Sequence, residues 1–287
     1  MFLSSIWNYF FPQKYCEEWR KITWGNNQAD LRFVKNYRPQ VKNRTLRILL
    51  HGPQGAGKSS FINSVQSVLM GRIYSQALAN NYATGGSFTN DYSTYKERKA
   101  DGSFYPFVFS DIMGLSEGEE ALEEDVKLVL RGHVKEGYTF DPDKQLCQGD
   151  KFYQETPNAN DKVSRFICVI PADKIEMTSD EVVDQIRRIR EDASSLHIPQ
   201  IAIITKIDEL DPDLQKDVKK VYKLKSIKEK MQKFSSLVGI PMNRIFPVKN
   251  YHEEIDMNTD VDSLILSAMR HILNCGNDCI NFHHNRA

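Results

Sequence analysis

The chain has no apolar run near the roughly 20 residues that a helix needs to cross a bilayer. Membrane association is therefore not expected. It also lacks a charge of one sign: 38 Lys and Arg stand against 38 Asp and Glu in 287 residues. Proteins that bind nucleic acid usually carry a basic excess, so nucleic acid is not an expected partner. Cysteine is scarce, and Cys16, Cys147, Cys168, Cys275 and Cys279 are odd in number and scattered. That usage fits free thiols in a reducing compartment. His283 and His284 follow Cys279, but no matching pair at zinc spacing stands elsewhere, so free thiols are expected there too. The aromatic start, residues 1–11, lacks the basic region and small-residue cleavage site of a signal peptide. A cytoplasmic chain is expected, with this start packed on the domain or on a partner. No repeat or low-complexity tract is present.

What is present is ordinary globular material, 40% apolar and 26% charged. Short apolar runs alternate with amphipathic stretches. This pattern predicts an α/β fold with a mainly parallel sheet and helices on both faces. Strands are expected at 46–50, 92–97, 105–110, 165–170, 200–205 and 244–248. Asp101-Gly102 suits a hairpin turn, and Pro106 suits a strand start. Thr178 and Glu181 have capping-box spacing before a helix. Further helices are expected at 226–238, ended by Gly239, and at 260–273. Residues 1–44 are expected to pack on the domain as a helical or extended segment. Residues 45–275 form the domain, with a long loop inserted at about 136–161 and a flexible tail at 276–287.

Gly52-Pro-Gln-Gly-Ala-Gly57-Lys58-Ser59 fits G-x-x-x-x-G-K-[ST], with an apolar strand before it and a helix after it. Such a P-loop curls so that successive N–H groups point at phosphate oxygens. The expected phosphate contacts are Gly52, Gln54, Gly55, Ala56, Gly57, Lys58, Ser59 and Ser60. Lys58 reaches the β- and γ-phosphates, and the Ser59 hydroxyl ligates Mg²⁺.

Asp111-Ile-Met-Gly114 follows the third strand and fits D-x-x-G. Asp111 is expected at the metal and Gly114 at the γ-phosphate. Thr205-Lys206-Ile-Asp208 follows the fifth strand and fits the [NT]-K-x-D guanine pattern. A carboxylate there accepts from guanine N1–H and N2–H₂, a donor pair that adenine lacks. Lys249, after the last strand, stands where a backbone amide would meet guanine O6. The expected ligands are GTP or GDP with Mg²⁺. A switch threonine at the metal and in catalysis is expected at Thr89, with Thr84 and Ser87 as alternatives. Leu115 occupies the position where many small GTPases carry a water-orienting Gln. Hydrolysis is therefore expected to be slow or absent, unless Gln54 or Glu117 serves.

The P-loop and the residues after it, 52–72, together with 107–116 and 186–190, resemble the interferon-induced protein 44 family. The similarity runs from about Trp19 to Leu273. It implies a cytoplasmic, interferon-responsive GTP-binding protein with protein partners in innate immune and antiviral signalling. It implies the GTPase-domain form, without the TLDc domain that some members carry. The open alternative is an active, self-assembling, dynamin-like GTPase at membranes. Gln54 at the dynamin-type offset motivates it, and a homodimer would follow from it.

Overall fold

The computed structural model describes residues 14–74, 91–99, 101–114 and 120–286. Its centre is a six-stranded sheet: β1 (Leu46–His51), β2 (Ser93–Arg98), β3 (Phe104–Asp111), β4 (Arg165–Pro171), β5 (Gln200–Thr205) and β6 (Ile245–Pro247). The spatial order is β2-β3-β1-β4-β5-β6. Only β2 runs antiparallel, against β3. Strands β4 and β5 are buried along their whole length, which is why they read as unbroken apolar runs. Pro106 lies beside the register shift between Lys96 and Arg98, and the β1 ladder starts one residue later at Phe107. Its missing N–H therefore costs no ladder bond.

Eight helices are labelled here: α1 (Gln28–Lys35), α2 (Lys58–Met70), α3 (Glu120–Arg131), α4 (Asp180–Ser195), α5 (Ile207–Leu210), α6 (Pro212–Lys216), α7 (Lys225–Val238) and α8 (Thr259–His284). Helix α8 packs on α1, α2 and the middle of the sheet, whereas α4 packs on α3 and α7. The chain leaves β1 toward β3 and later returns to β4 on the other side. Right-handed crossovers in opposite directions from β1 place helices on opposite faces.

Two expectations change. The tail expected over 276–287 is corrected: α8 continues to His284. Gly276 is buried, and a Cβ there would come within 2.4 Å of Leu46. Cys279 and Ile280 are buried as well, so packing on the first strand holds the last turns. The cap of α4 is Ser179, whose side chain accepts from the Val182 amide. Thr178 instead donates its hydroxyl to the Lys174 carbonyl.

Of the segment before the first strand, the described part from residue 14 is a strap with a short helix, and the aromatic start, residues 1–11, lies outside the described residues. The Cys16 and Trp19 amides donate to the Lys223 and Tyr222 carbonyls. Lys14 ion-pairs with Asp211 and Asp213. Residues 132–164 contain isolated bridges, among them Val134 with Tyr153, but no strand or helix of the sheet. Tyr138, Phe140 and Leu146 nevertheless reach the core.

Candidate functional site

All the motifs sit at the carboxyl ends of parallel strands, around β1, where the strand order reverses. Crevices at such switch points are where open α/β sheets take ligands. The P-loop runs from β1 into α2. Gly52 has φ 154°, and a Cβ there would lie 1.9 Å from the Val169 carbonyl oxygen. Only glycine lets this turn pass β4. Gly57 is left-handed and caps α2 without a side chain. The first amides of α2 thus face the loop, and the helix dipole favours an anion there.

Lys58 is buried, with Nζ 3.1 Å from the Gly52 carbonyl and 3.4 Å from that of Pro53. Burial lowers its pKa, and the nearby Asp111 carboxylate opposes that. The Ser59 hydroxyl donates to Asp111 Oδ2 at 2.6 Å. Asp111 is fully buried, and its Oδ1 meets no hydrogen-bond partner among the described residues. Burial raises its pKa, against the pull of Lys58, Ser59 and the Ile112 amide. A buried carboxylate oxygen without a partner is costly. Beside a serine hydroxyl it is a hard oxygen pair of the kind that suits Mg²⁺, which takes one or two protein oxygens plus phosphate and water. The residues present fit that ion.

Gly114 closes against the loop: a Cβ there would lie 2.6 Å from both the Cα and the N of Gln54. The Gln54 and Gly55 positions are exposed, while Ala56 is buried. Thr89, Thr84, Ser87, Leu115 and Glu117 lie outside the described residues.

At the end of β5 the threonine has an inward task. Thr205 is fully buried, and its hydroxyl donates to the Ala56 carbonyl at 2.6 Å and lies 3.3 Å from that of Ile170. Its hydroxyl braces the P-loop. Lys206 is left-handed (φ 55°) and turns the chain into α5. Asp208 is partly exposed, 3.7 Å from Lys249 Nζ, which also pairs with Glu254 at 2.8 Å. Burial would raise the Glu254 pKa, but the His252 amide and Lys249 bring it down to about 2.

Two supports escaped sequence reading. Asn250 Nδ2 donates to the Gly57 carbonyl at 3.2 Å, while its Oδ1 is buried without a partner among the described residues. His51 ends β1, fully buried, with neither ring nitrogen bonded among the described residues and its ring near Phe166. Burial, and then the Lys58 charge, push its pKa down to about 3. A polar residue closing an apolar strand directly before the loop was the available signal for it.

A mainly parallel sheet with a P-loop at its switch point, and a carboxylate and a T-K-x-D turn at neighbouring strand ends, is a GTPase-like fold. The chain is homologous to curated proteins named interferon-induced protein 44 and 44-like. It is 33% identical over 235 residues to interferon-induced protein 44 of Homo sapiens, covering 81% of this chain and 52% of that protein. It is 34% identical over 251 residues to the Mus musculus protein, covering 86% and 59%. Interferon-induced protein 44-like of Homo sapiens is 28% identical over 253 residues, covering 87% and 55%. The chain thus spans little more than half the length of the curated relatives it matches. No family model matches it.

Solved structures with a similar fold include the bacterial selenocysteine-specific elongation factor EF-Sec, at 14% identity and TM-score 0.42, covering 80% of this chain and 28% of that one. Another is Toc33 from Arabidopsis thaliana, in a dimerization-deficient form, at 13% identity and TM-score 0.47, covering 88% and 92%. Among the described residues, no helix is long and apolar enough to cross a membrane.

Proposed function

We propose that this chain binds GTP and GDP with Mg²⁺ and acts as a regulatory protein of the interferon-induced response, with slow or absent hydrolysis. The carrying observation is the pair of Ser59 and Asp111, with Asp111 Oδ1 left unpartnered beside the P-loop. Ser59 and Asp111 would hold the ion, which would offset negative charge on the phosphates. The amides of 52–60 and Lys58 bind phosphate, and Gly114 meets its far end. Lys58 now rests on loop carbonyls, contacts that a phosphate would replace. Asp208 reads the guanine edge, the stem of Lys206 covers the base, and the Lys249 amide meets O6. The regulatory role, cytoplasmic location and signalling partners rest on the relatives' names and on the motif resemblance.

Titration with GTP, GDP and ATP in the presence of Mg²⁺ tests the reading. Wild-type protein is expected to prefer guanine nucleotides. Lys58→Ala is expected to abolish binding, and Asp208→Asn to weaken guanine binding by roughly tenfold or more without unfolding the chain. Equal affinity for ATP would remove the base-reading role, and no saturable binding to well-folded protein would end the proposal. Rapid multiple-turnover phosphate release would instead favour the dynamin-like alternative.

A further inference from the structure

A second cavity lies at the other end of the sheet. It has a volume of about 840 Å³ and opens where residues 44, 163–164 and 196–198 lead into β1, β4 and β5, under the last turns of α8. The P-loop leaves the opposite ends of these strands, so the two sites share no lining residue.

Charge sets this cavity apart. Arg44, Arg131, Lys162 and Arg286 line it, and no aspartate or glutamate does among the described residues. Arg131 is neutralised by Asp192, at 2.6 Å. The other three cations have no carboxylate partner among the described residues. Asp161, on the adjoining loop, accepts from the Asn158 amide. The Arg44 side chain has its Nε buried without a hydrogen-bond partner among the described residues. Both ring nitrogens of His283 face carbonyl oxygens, of Cys279 at 2.9 Å and of Leu196 at 3.1 Å, and a neutral ring can donate to only one of them.

A further cation stands behind the wall. Arg165 is fully buried, and its three side-chain nitrogens meet no oxygen or nitrogen partner among the described residues, only the thiol of Cys275 lying beside them there. Its strongest titratable neighbours are the thiols of Cys275 and Cys279 and another cation, Arg244; Cys279 lines the cavity. Unpaired buried charge is destabilising, and an anion nearby would offset it. The rest of the wall mixes histidines and serines with apolar residues, of which Val163, Ile198 and Ile280 are buried. Unpaired guanidinium groups suit phosphate oxygens, and a partly apolar wall of this size suits an organic body.

We propose that this cavity, between Arg44, Lys162 and Arg286, is a second binding site, for a small organic polyphosphate, separate from the P-loop. Calorimetry in metal-free buffer with inositol hexakisphosphate as probe tests it, with inorganic phosphate as control. Saturable one-to-one binding is expected, tighter than for inorganic phosphate and unchanged by excess GDP. The double variant Arg44→Gln, Lys162→Gln is expected to weaken it roughly tenfold or more. Lys223→Gln with Lys233→Gln, two exposed lysines elsewhere, is expected to leave it intact. If the first double variant fails to fold, Arg286→Gln at the exposed end of α8 takes its place and is expected to weaken binding severalfold. Absence of saturable binding, displacement by GDP, or equal loss in the exposed-lysine control would each overturn the proposal. Probe binding and its loss in the cavity variants are both read without nucleotide, so they stand whether or not the P-loop takes GDP.

Discussion

The Thr205 hydroxyl donates to the carbonyl of Ala56 across 2.6 Å, joining the end of β5 to the middle of the P-loop. Both residues are buried, so no water can stand in for either group. The segment that would read a base and the loop that would hold a phosphate are therefore one mechanical unit.

Thr205→Val keeps the shape and removes the donor. It should cost about 1–3 kcal/mol in denaturant unfolding, the usual penalty for a stranded buried carbonyl. Nucleotide affinity should fall with it, because the loop loses a brace. Thr205→Ser should restore most of both. Unfolding midpoints that match wild type in Thr205→Val would show that the bond contributes nothing.

Gly114→Ala tests the contact with Gln54. The added carbon would meet backbone atoms at 2.6 Å, so the loop or the turn must shift. Overpacking of this kind costs about 1–3 kcal/mol. GTP affinity should drop more than GDP affinity, since only the triphosphate reaches this turn. Equal losses for both nucleotides in fluorescence titration would count against a γ-phosphate contact.

Glu97 carries a pH signature. It is buried on β2, and burial raises its pKa from 4.5 to about 8. A raised carboxyl pKa means that the folded state holds its proton more tightly than the unfolded state does. Stability from this group is complete below about pH 4.5 and is lost as the pH climbs toward 8. Glu97→Gln, which stays neutral, should therefore gain on wild type over that window. Thermal midpoints at both ends check it, and a constant gap would refute it.

Arg20 anchors the strap. Its guanidinium donates to the Ile245 and Met242 carbonyls at 2.6 Å each and lies over Trp19, Tyr222 and Phe246. Arg20→Ala should destabilise the chain by about 2 kcal/mol or more, from two charged hydrogen bonds and lost stacking. Arg20→Lys should recover only part of this, because it lacks the planar fork. Hydrogen exchange should report faster opening around 218–224, where the strap pairs.

Strand identity was legible wherever both faces of a strand are covered, because unbroken runs such as 165–170 and 200–205 leave no alternative burial. That Lys58, Ser59 and Asp111 belong to one place was legible in their motifs and the strands before them, and the structure brings Ser59 to 2.6 Å from Asp111. Thr205 was misjudged in its task. A threonine in T-K-x-D looks like a ligand contact until its hydroxyl is seen to be engaged with Ala56. The end of α8 was missed because Asn274, Asn277 and Asp278 interrupt the apolar pattern, whereas Gly276, Cys279 and Ile280 still face the core.

The amino-acid order alone determined the alternation of strands and helices, the phosphate loop and the residue types at each strand end. These follow from local periodicity and from chemistry that tolerates few substitutes. Tertiary structure alone decided which strand ends meet, that Asp111 faces Ser59, and that Arg44, Lys162 and Arg286 gather around one cavity by the end of α8 with no carboxylate partner among the described residues. Such meetings join residues far apart in the chain, and only the packing of helices across the sheet brings them within reach.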